Sequence, residues 1–177
     1  MPKATLVYIV DQNTKKVLLA KKRRKIGIGK WFGYGGKFEP EDLGDPIACL
    51  IREVLKETND VIDLGVFDIE LVGVIRFYNG FWKIPGIAKP FTVLCYRAIG
   101  RVTKIPPTTD EMETPNLFDF FNLPLHEFKK GDERFVPQLP CGVPTTGWVW
   151  FTKNEKKVLG SKIVSFSKEQ LQRLAQK

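Results

Sequence analysis

The chain has 177 residues, 43% of them hydrophobic and 12% aromatic, an amount that one folded core accommodates, so a single domain spanning 1–177 is expected. No apolar run approaches the roughly 18 residues that cross a bilayer, and Met1-Pro2-Lys3 leads straight into a strand-like segment without a cleavable signal pattern, which implies a cytoplasmic protein with no membrane span. The formal charge of +8 gives an attractive field for polyanions without choosing among them, and the three cysteines, Cys49, Cys95 and Cys141, lack any CxxC or zinc spacing and read as reduced core thiols, excluding a disulfide framework.

In chain order, β-branched and aromatic runs bounded by Gly, Pro, Asn or Asp predict strands at Thr5–Val10, Lys16–Ala20, Val66–Phe77, Phe91–Ile99, Leu117–Phe121, Gly147–Phe151 and Lys162–Phe166. Asp11-Gln12-Asn13-Thr14 makes the first turn. The basic run Lys21-Lys22-Arg23-Arg24-Lys25 follows the second strand and precedes a glycine-rich turn, where it reads as a solvated loop, the phosphate side of a cleft or a contact for a nucleic-acid backbone. A helix is predicted over Pro46–Thr58, with Asp45 as N-cap, Pro46 at the first helical position and Asn59 in the left-handed conformation that ends it. Its apolar stripe is Ile47, Leu50, Ile51, Val54 and Leu55. The segment Asn79 to Pro90 is punctuated by Gly and Pro and reads as a connection. A second helix starts after Ser167, which forms a capping box with Gln170, and buries Leu171 and Leu174.

Chemistry concentrates on the first helix and the turn before it. Glu53 and Glu57 stand at i and i+4 beside the apolar stripe, so both carboxylates can reach one point. Magnesium takes hard oxygens and keeps waters and substrate phosphates in its shell, so two carboxylates suffice as protein anchors. Gly33-Tyr34-Gly35-Gly36-Lys37 precedes them and permits positive φ and close backbone approach to a ligand or metal.

Gly36, Arg52, Glu53, Val54 and Glu57 match the signature of the Nudix hydrolases: Gly, five residues, Glu, seven residues, Arg-Glu-aliphatic-any-Glu-Glu-any-Gly. Val17-Leu18-Leu19, Lys22-Arg23-Arg24, Gly27-Ile28-Gly29-Lys30-Trp31 and Thr109-Asp110-Glu111-Met112 extend the resemblance to the MutT-type members that act on oxidised-purine nucleoside triphosphates. The resemblance implies an α/β Nudix fold, a mixed β-sheet sandwiched between helices. Departures are equally specific. Fifteen residues separate Gly36 from Arg52 instead of thirteen, which puts Asp42, with Glu41 as its neighbour, where the first signature Glu belongs. Lys56 replaces the first Glu of the Glu-Glu pair, with an ammonium that can swing to solvent, and Asn59 replaces the Gly.

By the same resemblance, Arg52 orients Glu53, and Glu53 and Glu57 ligate magnesium or manganese together with the Gly36 carbonyl. Gly35 lines the substrate side, and Lys22 and Lys37 meet phosphate. Glu53 and Glu111 are the candidates for a general base. For the base pocket, Asp132 is retained, while Gly131, Lys129 and Phe32 replace an Asp, a stacking Trp and a reading Asn. Phe32, Phe77, Tyr78, Phe81 and Trp82 are available to stack on a base, Trp31 reads as structural, and His126, the only histidine, reads as a surface or packing residue.

The leading expectation is a magnesium-dependent pyrophosphohydrolase of nucleoside triphosphates, modified ones included, that releases pyrophosphate and the monophosphate. Capped RNA, a dinucleoside polyphosphate or a nucleotide sugar is the alternative substrate. A catalytically weak module that binds nucleotide or RNA is the non-enzymatic alternative. Oligomeric state is not legible.

Overall fold

The computed structural model describes residues 2–24, 27–80, 90–153 and 157–176. Phe81, Trp82 and Lys25, named above, lie outside the described residues.

One mixed sheet organises the chain. Its strands are β1 (Ala4–Asp11), β2 (Lys16–Lys21), β3 (Trp31–Phe32), β4 (Asp68–Asn79), β5 (Phe91–Gly100), β6 (Asn116–Asp119), β7 (Thr145–Phe151) and β8 (Val158–Ser165). They run in the order β3-β2-β1-β5-β4-β7-β8, with β6 paired to β2. β1 lies parallel to β5 and β4 parallel to β7, whereas β4–β5, β1–β2 and β7–β8 are antiparallel.

Alternating side chains give β1, β2, β4 and β5 two apolar faces, so the middle of the sheet is buried on both sides, whereas β6 and β8 hold no fully buried residue. Tyr8, Val17, Leu19, Val93, Cys95, Val149 and Phe151 face one cluster. Val7, Ile9, Leu18, Leu94, Tyr96 and Ala98 face the other. In β4 the register slips between Leu71 and Gly73, a bulge that resets the alternation. Ile69 and Leu71 thus share a face with Val74, while Val72 and Ile75 turn to the opposite one.

The helices α1 (Pro46–Thr58) and α2 (Lys168–Ala175) cover the second face through Leu50, Val54 and Leu171. Each fully buried aliphatic side chain of this kind stabilises by about 1.5–3 kcal/mol. On the first face the covering layer is a run of 3-10 turns, Leu125–Glu127, Asp132–Arg134 and Val136–Gln138, which brings in Phe128, Phe135, Val136 and Leu139. The sheet is therefore sandwiched as the sequence implied.

Three local expectations are corrected. Val66 does not start the strand: Leu64–Val66 is a 3-10 turn capped by Asp63, and Val66 is exposed. β8 begins at Val158, not at Lys162, because pairing with β7 recruits the Gly160 region. Cys49 and Cys95 are buried free thiols, but Cys141 is on the surface, in the turn that enters β7.

Candidate active site

The site is built where the glycine turn crosses β1. Val7 and Tyr34 exchange both backbone bonds, at 2.7 and 2.9 Å, and Thr5 N–H donates to the Gly36 carbonyl at 2.9 Å. The turn thus occupies the edge of β1 that β2 has left. Such an approach excludes side chains: a Cβ on Gly33 would stand 2.4 Å from the Val7 carbonyl oxygen, and one on Gly35, at φ +142°, 2.3 Å from that of Thr5. A Cβ on Gly36 would meet the Glu53 carboxylate at 2.4–2.7 Å. Turn and helix therefore close on each other directly.

α1 presents the acids as its caps dictate. Asp45 accepts from Ile47 N–H at 2.9 Å, and Asn59 ends the helix at φ 52°, ψ 51°. Within that frame Glu53 and Glu57 are both buried. Glu57 accepts from Lys22 Nζ at 2.6 Å and from Gly35 N–H at 2.8 Å. Burial pushes its carboxyl up, and the Lys22 ammonium opposes this. Glu53 accepts from Arg52 Nη1.

Arg52 is the hub. Its Nε and Nη2 donate to the two oxygens of Asp42, each at 2.8 Å, and Nη2 also reaches the Lys37 carbonyl at 3.0 Å. The Arg52 hydrogen bond holds Asp42 down at about 2. Asp42 is buried and Glu41 exposed, so of the two acids offered for the first signature position it is Asp42 that joins the site.

Glu111 arrives on the Thr109–Met112 loop. Thr109 Oγ1 accepts from the N–H groups of Glu111 and Met112, and Arg23 fastens the loop to the end of β2 through its N–H to the Glu111 carbonyl at 2.9 Å. The Glu111 carboxylate accepts from Arg24 at 2.8 Å and Lys56 at 3.0 Å. Lys56 is therefore half-exposed but paired, which corrects the expectation that its ammonium turns to solvent. Within the basic run, Lys21 pairs with Glu127, Lys22 with Glu57 and Arg24 with Glu111, while Arg23 and Arg24 remain exposed.

A cavity of about 560 Å³ opens beside the turn. Lys22, Gly35, Gly36 and Lys37 line one part of it, and Phe32, Phe77, Phe135, Phe151, Lys129 and Asp132 another. Six of the residues singled out in the sequence, Lys22, Phe32, Gly35, Lys37, Phe77 and Asp132, thus meet in one cavity. Asp132 is buried there, and desolvation raises its carboxyl to about 7. Lys129, where a stacking Trp was the pattern, lays its ammonium over the rings of Phe151 and Phe77, 4.9 and 5.9 Å from their centroids.

Tyr78 points away, stacked on Trp150 at 6.0 Å, and does not line the cavity. Trp31 is buried edge-on to Phe118, and His126 is exposed, both as expected. Sequence reading missed Phe91, Phe135 and Phe151. Strand register is the signal that finds Phe91 and Phe151, since they lie opposite Phe77 and Asn79, whereas Phe135 stands between two 3-10 turns and has no such signal.

Among the described residues, no three His, Cys, Asp or Glu side chains gather closely enough to enclose a metal. The available donors are the buried carboxylates of Glu53 and Glu57 and the carbonyl of Gly36, which accepts from Thr5 N–H at 2.9 Å and, at 3.8 Å, from the Cys49 thiol. Hard oxygens in so small a number suit an ion that completes its shell with water and phosphate, as magnesium does.

Comparison with known proteins agrees with this geometry. The NUDIX domain model matches residues 1–139. The chain is 30% identical over 133 residues to the oxidized purine nucleoside triphosphate hydrolase of Danio rerio, covering 75% of this chain and 76% of that protein. The Mus musculus protein of the same name is also 30% identical, over 136 residues, covering 76% and 77%. Among solved structures, a MutT protein from Bacillus halodurans superposes with a TM-score of 0.65 at 20% identity, covering 92% of this chain and 97% of that one. The chain belongs to the Nudix family and has its hydrolase fold.

Proposed function

We propose that this protein is a single-domain, metal-dependent pyrophosphohydrolase of nucleoside triphosphates, working in the cytoplasm on the nucleotide pool. The observation that carries the reading is the shared cavity. It joins the glycine turn and two lysines, beside the buried Glu53–Glu57 edge, to a pocket of aromatic rings around one buried carboxyl. A triphosphate with its base fits that sequence of surfaces, and the named relatives hydrolyse oxidised-purine nucleoside triphosphates.

Glu53, Glu57 and the Gly36 carbonyl would hold magnesium or manganese. The ion, when bound, neutralises phosphate and acidifies a water. Arg52 keeps Glu53 in place through its bond to that carboxylate and its fork on Asp42. Lys22 and Lys37 bring positive charge to the phosphates. Water attacks phosphorus, its proton passing to a carboxylate, and pyrophosphate leaves with the bridging oxygen. Glu53 and Glu111 are the two candidates for that proton, each held by cations, Glu53 by Arg52 and Glu111 by Arg24 and Lys56. Phe32 and Phe77 hold the base by their faces, and Asp132 reads its edge.

The test is a panel of ordinary and oxidised nucleoside triphosphates, capped RNA, dinucleoside polyphosphates and nucleotide sugars, each with magnesium or manganese. Pyrophosphate and monophosphate from triphosphates are expected; no turnover on any member of the panel overturns the reading. Glu57→Gln should lower turnover more than about a hundredfold, the upper range for disturbing a metal ligand's surroundings, with an unchanged circular dichroism spectrum. Near-native rates in that variant would remove Glu57 from the site.

A further inference from the structure

Lys129 and Asp132 stand at the two ends of one turn, closed by the bond from Asp132 N–H to the Lys129 carbonyl at 3.0 Å. Gly131 makes that turn at φ +97°, and a Cβ there would lie 3.0 Å from Val149 and 3.2 Å from Phe151, so the turn packs directly on β7. Both side chains line the cavity from this one anchored segment. The Lys129 ammonium lies 4.9 Å from the Phe151 centroid and 5.9 Å from that of Phe77, so Phe151 is its main seat and Phe77, the ring assigned to the base, is next to it. It is also near enough for its charge to act on the Asp132 carboxyl. A cation and a buried carboxyl thus share the aromatic part of the cavity.

We infer that Lys129 is the residue that selects the base: it favours nucleoside triphosphates whose base carries an oxygen at the edge that Asp132 reads, and rejects those with an amine there. The inference rests on the proposed triphosphate reading and names its substrate class. The two side chains divide the work by their hydrogen-bonding chemistry. A carboxyl that keeps its proton, as burial makes Asp132 do, offers one donor and one acceptor. It pairs with the oxygen and ring N–H of one purine edge, or with the ring nitrogen and amine of another, and so does not choose between them. An ammonium has three donors and no acceptor. Lys129 therefore bonds the oxygen and sets N–H against N–H where the base carries an amine, and a site with such an unmatched polar group discriminates strongly.

The experiment compares inosine triphosphate with adenosine triphosphate on the full-length protein with magnesium, since the two differ only by an oxygen or an amine at one edge of the same purine. The ratio of kcat/KM should favour inosine triphosphate by about ten- to a hundredfold, the range for one charged hydrogen bond made or lost. Lys129→Met should bring that ratio close to one, chiefly by raising KM for inosine triphosphate. Lys129→Glu should invert it, because a carboxylate accepts from the amine, and Lys129→Arg should keep it. A merely structural role for Lys129 would lower turnover of both substrates alike. Thermal melting checks that each variant folds. Lys129→Gln, whose amide both donates and accepts, should also level the ratio and stands in for Lys129→Met if that variant does not fold.

Equal kcat/KM for the two triphosphates in the wild type, or a preference that the Met and Gln variants leave unchanged, overturns the inference while the pyrophosphohydrolase reading stands. No turnover of any triphosphate overturns that reading instead. Calorimetric binding of inosine and adenosine monophosphates to the wild type then decides the base selection by itself: tighter binding of the inosine nucleotide supports it, and equal binding or none overturns it.

Discussion

One guanidinium, that of Arg52, ties together an acid from the loop before α1, an acid on α1 and a carbonyl of the glycine turn. Only a planar fork does this, since an ammonium cannot meet both Asp42 oxygens side by side while reaching two further acceptors. Asp42→Asn should weaken the fold by about 1–3 kcal/mol, the range for disturbing a buried charged hydrogen bond, and lower activity by loosening Glu53. Its pH signature follows from the lowered carboxyl: the stabilisation is present above the ordinary value near 3.8 and is lost as pH falls toward about 2. The difference in melting temperature between wild type and Asp42→Asn should therefore shrink below pH 4. Asp132 has the opposite sign. Its carboxyl is raised to about 7 from 3.8, so the folded form keeps a proton that the unfolded form gives up, and stability falls as pH rises through that window. Asp132→Asn should melt higher than wild type at pH 8 and about equally at pH 4. Equal melting at both pH values would contradict the burial argument. Distance from Gly36 pointed to Asp42 with Glu41 as its alternative, and burial of Asp42 with exposure of Glu41 separates them. The partner of Lys56 was not, because it comes from a loop fifty-five residues away that only the sheet brings near.

At the scale of elements, α1 was readable to the residue because its ends are chemical signals: an Asp cap, a Pro, and an Asn in left-handed geometry. Asp45→Ala should cost about 1 kcal/mol, or about 2–4 °C in melting temperature for a chain of this size, with turnover falling only as the helix end frays. A thermal scan that shows no shift would mean the cap is dispensable. The glycine turn was legible as a close approach but not as a strand substitute, since pairing with Val7 and Thr5 depends on β2 leaving β1 early. β3 is two residues long and has no period to read. The start of β8 was hidden for a different reason: Gly160 weakens the strand signal, and the Trp150 ring packed over it supplies what a side chain would have. The 3-10 turns that complete the aromatic pocket carry no periodicity either, so Phe135, which stands between two of them, became a pocket residue only once the sheet was assembled.

For the molecule as a whole, the +8 charge is spread so that the basic groups nearest the acids are already balanced, Lys22 on Glu57, Arg24 and Lys56 on Glu111, and Arg52 on Asp42 and Glu53. Local neutrality at these acids leaves the remaining positive charge as a long-range field toward a polyanion. Encounter should then depend on salt while chemistry does not. Between about 20 and 200 mM salt the Debye length shortens from roughly 20 Å to roughly 7 Å, so exposed charges cease to act across the cavity mouth. KM for a nucleoside triphosphate should rise by about three- to tenfold over that range with kcat nearly constant, as expected for a loss of steering. Lys37→Met should flatten the dependence, because that ammonium lines the cavity above the Phe91 ring, where an anion would enter. A kcat that falls with salt while KM holds would instead place the sensitive charges inside the chemistry, and the balanced pairs around Glu53, Glu57 and Glu111 would be the ones giving way.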